Sequence, residues 1–313
     1  MDSQSGPGDS PRFSVVIPTY NRADTVGRAI ESVLNQTYPP SEVIIVDDGS
    51  RDATRARVEG FGPRVTYLPQ NNAGAAAARN HGAREARHPW LAFLDSDDIW
   101  AATYLEQMAA AISGTAGVAV LYFSDAEFED YPPPNNRWAR AGFSAKAPFE
   151  LIEKPIAIVF AESQPMLLPF SVFRRSEFLA AGGLWERLPA AEDTHLFTRL
   201  GTVHAMCAVS LVGGTVKGAG EHGHRLTGEY GPSAVKHWEC SVLMWQDILR
   251  TVPGLSSAYK RLLTRRIADA YWRKGVLYAK GHKLMAAAAA LGRSLLHDPS
   301  VAWHAAARKL GAN

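Results

Sequence analysis

A chain of 313 residues, 46% hydrophobic and 20% charged, holds one large or two modest domains and is too apolar for wholesale disorder. Its 33 Lys and Arg against 31 Asp and Glu leave a formal charge of +2, which removes the electrostatic case for a dedicated nucleic-acid binder. Two cysteines, Cys207 and Cys240, cannot build a disulfide framework, and no apolar run approaches the roughly 18 residues of a membrane span, so a soluble, cytoplasmic protein is expected.

Residues 1–12 lack the apolar core of a signal peptide and read as a disordered leader. Residues 13–17, FSVVI, form a short apolar block ended by Pro18, as in a buried parallel strand. Val26, Ile30, Val33 and Leu34 share one helical face, and Pro39 and Pro40 stop that helix. Residues 43–46 read as a second strand, closed by the turn formers Asp47, Asp48, Gly49 and Ser50. Helices at 53–58 and 73–86 then alternate with strands at 65–68 and 91–94, and the last strand runs into Asp95, Ser96, Asp97 and Asp98. Such alternation predicts an α/β architecture around a mainly parallel sheet, whose ligands sit beyond the carboxyl ends of the strands. Polar clusters stand at three of those ends: Pro18 to Asn21, Asp47-Asp48 and Asp95 to Asp98.

Farther along, a strand is expected at 118–123, a loop or lid at 130–146, and a strand and short helix at 171–173 and 175–181, the helix stopped by Gly182 and Gly183. The stretch 151–159 is ambiguous. Leu196, Phe197 and Leu200 make an apolar helical face after Asp193, and from 235 the chain reads as helix with breaks near Pro253, Gly281 and Pro299. Tyr271, Gly275, Tyr278, residues 286–290, Leu295 and Asp298-Pro299 faintly resemble one tetratricopeptide-like helical hairpin. The residues from Thr251 onward hold 11 Lys and Arg and 2 acids, a local +9. The other 250 hold 22 basic and 29 acidic residues, a net −7.

Asp95 and Asp97, separated by one residue at the end of a buried strand, can both approach a hard cation that keeps waters and bridges diphosphate oxygens. The segment FSVVIPTYNRADTVGRAIESVLNQTYPPSEVIIVDDGSRDAT, followed by NAGAAAARNHGAREARHPWLAFLDSDDIW and later by GGLWERLPAAEDTHLFTRL, resembles the family 2 glycosyltransferases of GT-A fold. The likeness runs in order from Phe13 to Trp100 and resumes from Gly182 to Leu200. It implies a GT-A catalytic domain over 13–234, Rossmann-like with helices flanking the sheet, and a helical region over 235–313. It also implies an inverting enzyme of bacterial polysaccharide or glycoconjugate biosynthesis, using a nucleotide-diphospho-sugar, by default a UDP-sugar, and Mn²⁺ or Mg²⁺.

By that resemblance Pro18, Thr19, Tyr20 and Asp48 line the nucleobase pocket, Arg79 lies near the nucleotide, and Asp95, Ser96 and Asp97 hold the sugar-nucleotide. Asp97 is the more direct metal ligand and Asp95 the other, with His222 or His224 as a further ligand brought by a flexible loop. Asp98, Glu192 and Arg225 are expected as supporting neighbours. Glu192-Asp193 resembles the pair whose aspartate deprotonates the acceptor hydroxyl. Taken alone, Asp193 before a helix reads first as an N-cap; within this pattern the base is the favoured role, and the two are compatible. Many relatives carry Asp two residues beyond the base; here His195 stands there, so no role is carried over.

The acceptor is expected to be a saccharide, a lipid-linked sugar or a small molecule, met by 130–146, 163–170 and the tail, with Trp138, Phe143 and Trp185 as stacking candidates. The basic helices suit either a peripheral contact with the inner face of a membrane or a homodimer. A sugar-nucleotidyltransferase would need a Gly-rich, basic loop after the first strand, which Pro18-Thr19-Tyr20-Asn21 is not. A non-catalytic nucleotide-sugar binder would have no use for Asp95, Asp97 and Asp193 together.

Overall fold

The computed structural model describes residues 10–217 and 233–301. The chain forms two compact units, one of residues 1–186 and 196–220, the other of residues 187–195 and 221–313.

In the first unit, β1 (Phe13–Thr19) is buried at every residue and pairs in parallel with β2 (Glu42–Asp47) on one side and β4 (Trp90–Phe93) on the other. β2 in turn pairs in parallel with β3 (Thr66–Pro69). Pro18 does not end β1: it sits opposite Val46, near the strand's carboxyl end, where losing one N–H donor interrupts little of the ladder. α1 (Val26–Leu34) buries Val26, Ala29, Ile30 and Val33 against this sheet, as its spacing requires, with Leu34 half-buried. α2 (Thr54–Glu59) follows β2, and α3 (Ala75–Glu85) lies so close to β1 and β2 that a Cβ on Gly82 would stand 2.4 Å from Val16 Cγ1.

Beyond β4 the sheet is mixed. Nine strands among the described residues follow the order β3-β2-β1-β4-β8-β6-β9-β5, with β7 also paired to β9. Here β5 is Ile99–Trp100, β6 Leu121–Phe128, β7 Phe149–Ile152, β8 Ser171–Arg174 and β9 Met206–Val216. β8 runs antiparallel to β4 and β6, β9 is parallel to β6, and β5 and β7 are antiparallel to β9. The parallel character read from the sequence thus holds for the first four strands. β9 has no counterpart in the sequence reading, because Gly213-Gly214 interrupts its pattern. Those glycines serve close approach, since a Cβ on Gly214 would lie 2.2 Å from Ile99 O.

β6 also runs five residues past the expected end at 123. Its buried Asp125 accepts the Ala126 and Trp138 amides and the Asn136 side chain, which ties the segment after β6 back to the strand. That segment contains α5 (Arg137–Ala141), where Trp138 is 6% exposed and meets Phe123 and Phe143 edge-on. Trp138 is therefore a core residue and is not available to stack on an acceptor. α4 (Tyr104–Gly114) fills the gap between β5 and β6, and the ambiguous 151–159 resolves into the end of β7 and α6 (Ile156–Val159). α7 (Arg175–Ala180) ends at Gly182 and Gly183, both at positive φ. α8 (Glu192–Gly201) buries Leu196, Phe197 and Leu200 as expected.

In the second unit α9 (Val235–Thr251), α10 (Ser257–Lys280) and α11 (Leu284–His297) break near Pro253 and Gly281, and α11 ends before Asp298-Pro299. Val242, Ile267, Ala270 and Tyr271 form its core, with Trp238, Trp245 and Leu249 packed against them. Gly275 permits the α10–α11 crossing: a Cβ there would lie 2.8 Å from Leu291. No helix among the described residues is long and apolar enough to cross a membrane.

Candidate active site

Because β2, β1 and β4 are adjacent and parallel, their carboxyl ends share one edge of the sheet, and the three polar clusters meet there. At the end of β1, Pro18 and Thr19 are buried and Tyr20 is 44% exposed. Thr19 Oγ1 is a buried hydroxyl with no hydrogen-bond partner among the described residues. Asn21, at φ +51°, accepts the Arg51 amide on its Oδ1 and donates its own amide to Ser50 Oγ, stitching the loop after β1 to the turn after β2. Asp52 tightens the same seam by accepting the Ala23 amide.

The two aspartates of that turn are tied into the protein. Asp47 accepts the Ser50 amide and the Tyr67 hydroxyl, at 2.8 and 2.7 Å. Burial together with the hydrogen bond to Asp47 drives the Tyr67 phenol well above its usual range. Asp48, 4% exposed, takes the Ala73 and Gly74 amides at 2.8 Å each and the Gln70 side chain at 2.7 Å. Gln70 is held in turn by His81 Nδ1 at 2.8 Å. A nucleobase contact at Asp48 would therefore come from a carboxylate already fixed by three donors.

At the end of β4, each carboxylate of Asp95-Ser96-Asp97 meets an arginine. Arg79 Nη2 of α3, its side chain 8% exposed, lies 2.5 Å from Asp95 Oδ1, and Arg22 Nη2 lies 3.7 Å from Asp97 Oδ2. Ser96 and Asp98 are buried, and Asp98 Oδ1 accepts the Lys217 amide of the segment after β9. Arg22, Gln70, His81 and Lys217 did not emerge from the sequence. Arg22 had a usable signal, as the first residue after the Pro18 to Asn21 cluster; Gln70 and Lys217 are single polar residues after strands, which turn chemistry also explains.

Asp95 and Asp97 are half-buried oxygen donors, the type that suits Mg²⁺ or Mn²⁺ retaining water and phosphate ligands. No group of three or more metal-ligating side chains forms a closed cage among the described residues, so an ion here would draw its other ligands from outside this pair. His222, His224 and Arg225 lie outside the described residues.

In the second unit, Glu192 and Asp193 begin α8 itself, so Asp193 stands within the first turn and is not the cap before it. The preceding Ala191 is at φ +65° and its carbonyl receives the His195 amide. Asp193 Oδ1 accepts the Thr194 amide at 2.6 Å and its hydroxyl at 3.3 Å, while Oδ2 accepts no hydrogen bond among the described residues.

The model of the family described as Glycosyl transferase family 2 matches residues 14–164. The UDP-Glc:alpha-D-GlcNAc-diphosphoundecaprenol beta-1,3-glucosyltransferase WfgD of Escherichia coli is 45% identical over 100 residues, 31% of this chain and 40% of that protein. An uncharacterized glycosyltransferase of Haemophilus influenzae is 29% identical over 189 residues, 60% of this chain and 61% of that protein. The chain thus spans less than two thirds of the length of these relatives. Among solved structures, S. aureus TarS 1–349 in complex with UDP-GlcNAc superposes with a TM-score of 0.67 at 21% identity, over 91% of this chain and 81% of that one. The common architecture is the GT-A fold with a helical extension. Residues 14–164, a little under half of the chain, are thus similar to glycosyl transferase family 2.

Proposed function

We propose that the protein transfers a sugar from a nucleotide-diphospho-sugar, a UDP-sugar by preference, to an acceptor hydroxyl with inversion at the anomeric carbon. The observation that carries this reading is the convergence of Thr19, Asp48 and the arginine-paired Asp95 and Asp97 on one sheet edge. The relatives' names point the same way: WfgD is named for a UDP-glucose donor, and the TarS structure holds UDP-GlcNAc.

In this reading the base lies against Thr19 and Tyr20 beside Asp48, with Thr19 Oγ1 gaining the partner it lacks within the protein. Arg79 and Arg22 face the diphosphate, where guanidinium groups make charge-assisted hydrogen bonds. Asp97 and Asp95 would hold Mn²⁺ or Mg²⁺; a mannosyltransferase of the same fold, PcManGT from Pyrobaculum calidifontis, is described in complex with GDP-Man and Mn²⁺ (TM-score 0.55, 19% identity, covering all of this chain and 84% of that one). When bound, such an ion neutralises charge on the departing diphosphate. Asp193 takes the acceptor proton, a role consistent with an Oδ2 that is not already accepting a hydrogen bond. The acceptor is a saccharide, lipid-linked or small-molecule hydroxyl.

Titration calorimetry with UDP, dTDP and GDP, with and without Mn²⁺, tests the donor half, and a metal-dependent preference for UDP is expected. Asp193→Asn should lower transfer by roughly 10²–10⁴-fold while leaving nucleotide affinity unchanged. Full activity in that variant removes Asp193 from the mechanism.

A further inference from the structure

α11 is apolar on both sides. Its inner side, Ala287, Ala290 and Ser294, is buried, with Ser294 Oγ donating to Ala268 O of α10. At about 100° per residue the opposite arc carries Leu284, Met285, Ala288, Gly292, Leu295 and Leu296, all exposed. Leu284 is 71%, Met285 89% and Leu296 87% exposed. No polar side chain interrupts that arc. An apolar helix face needs a cover, and among the described residues of the second unit α11 has one on its inner side alone.

The charge around the arc says which cover it suits. Lys280 and Lys283 precede the first turn of α11, and Arg293 borders the arc three residues before Leu296. All three are exposed and enter no ion pair among the described residues. α11 itself carries no acidic residue. A second copy docked through the same face would bring these like charges against each other, which disfavours self-association.

We propose that the outer arc of α11 lies on an anionic lipid surface. Leu284, Met285 and Leu296 enter the boundary between headgroups and acyl chains, and Lys280, Lys283 and Arg293 meet lipid phosphates. Such interfacial helices combine buried apolar area with attraction to anionic lipid, and they bind without spanning. The proposal does not depend on sugar transfer and is tested apart from it.

The test is co-sedimentation of the full chain with vesicles of phosphatidylcholine alone and of phosphatidylcholine mixed with phosphatidylglycerol. Partitioning is expected to be roughly tenfold or more higher on the anionic vesicles at low salt, and to fall as salt is raised. The variant Leu284→Gln/Met285→Gln/Leu296→Gln should lose binding with an unchanged melting temperature, and Lys280→Gln/Lys283→Gln/Arg293→Gln should lose the preference for anionic lipid. Absence of binding at low salt overturns the proposal, as does unchanged binding by the triple apolar variant. A parent dimer in sedimentation velocity that the apolar variant dissociates assigns the face to a second copy instead. A large drop in that variant's melting temperature shows the arc already covered by the chain itself, and likewise overturns it.

Discussion

His195 Nε2 lies 3.0 Å from Asp247 Oδ2, joining the first turn of α8 to α9 inside the second unit. His195 is 1% exposed, and Asp247 is held on its other oxygen by Arg250 at 2.8 Å. His195 thus anchors the turn bearing Glu192 and Asp193. His195→Ala should cost about 2 kcal/mol by leaving the carboxylate short of a buried partner, read as a lower melting temperature. If the turn is also catalytic, kcat should fall more than donor affinity, and His195→Gln, which keeps a donor, should recover part of both.

The same carboxylate makes stability depend on acid. Burial acts to raise the Asp247 pKa, but hydrogen bonds from Arg250 and His195 outweigh it and leave the group below its ordinary value. Glu42 behaves alike: burial is outweighed by hydrogen bonds from Ser14 and Arg87. A carboxylate with a depressed folded pKa stabilises above its unfolded value of about 4, and that contribution disappears as pH falls through the folded value. Unfolding free energy should therefore decline from about pH 5 downward, and Asp247→Asn and Glu42→Gln should each flatten that decline. Denaturant titrations across that range measure it.

Arg79 is expected to serve both the fold and the ligand. Arg79→Met leaves Asp95 without its 2.5 Å partner and should weaken nucleotide-sugar binding by about 1–3 kcal/mol, with a smaller loss for nucleoside alone. Calorimetry with UDP against uridine separates the phosphate contribution from the base contribution. Equal losses for both ligands would remove Arg79 from the diphosphate.

The cysteines should be inert in the native state. Burial, aided by the nearby Glu150, pushes the Cys207 thiol up to about 12, and burial raises Cys240 as well. Both therefore stay protonated at neutral pH, and only the thiolate reacts quickly. A disulfide-exchange reagent should label neither at pH 8 without denaturant and both after unfolding. Prompt labelling of one in native protein would show local opening around it.

β1, β2 and β4 were legible because each is a short, almost fully buried apolar run bounded by turn formers, the pattern of a parallel sheet with two covered faces, whereas β3 at the sheet edge is half-buried or exposed. The second half was less so. β9 carries glycines where backbones approach, and the polar residues of β6 are buried through bonds to a loop some ten residues later, which no local pattern announces. At the candidate site the aspartates were legible as types at strand ends. Their partners were not, because Arg79 reaches Asp95 from α3 and Arg22 reaches Asp97 from the loop after β1, pairings set by strand order and not by spacing. Trp138 shows the converse error: an aromatic in a proline-rich segment reads as a binding residue until the Asp125 bonds fold it inward.

Asp48 clamps the Ala73 and Gly74 amides at the entrance to α3, the helix that delivers Arg79. In the proposed reading, the turn that would meet the nucleobase and the guanidinium that would meet the diphosphate are thereby parts of one mechanical piece. Loss of this clamp would slacken the grip on base and phosphate together, so altering Asp48 is a poor way to change donor preference. In the same reading, selectivity among nucleotides would instead be adjustable at Thr19 and Tyr20, whose side chains take no part in the hydrogen bonds of the clamp.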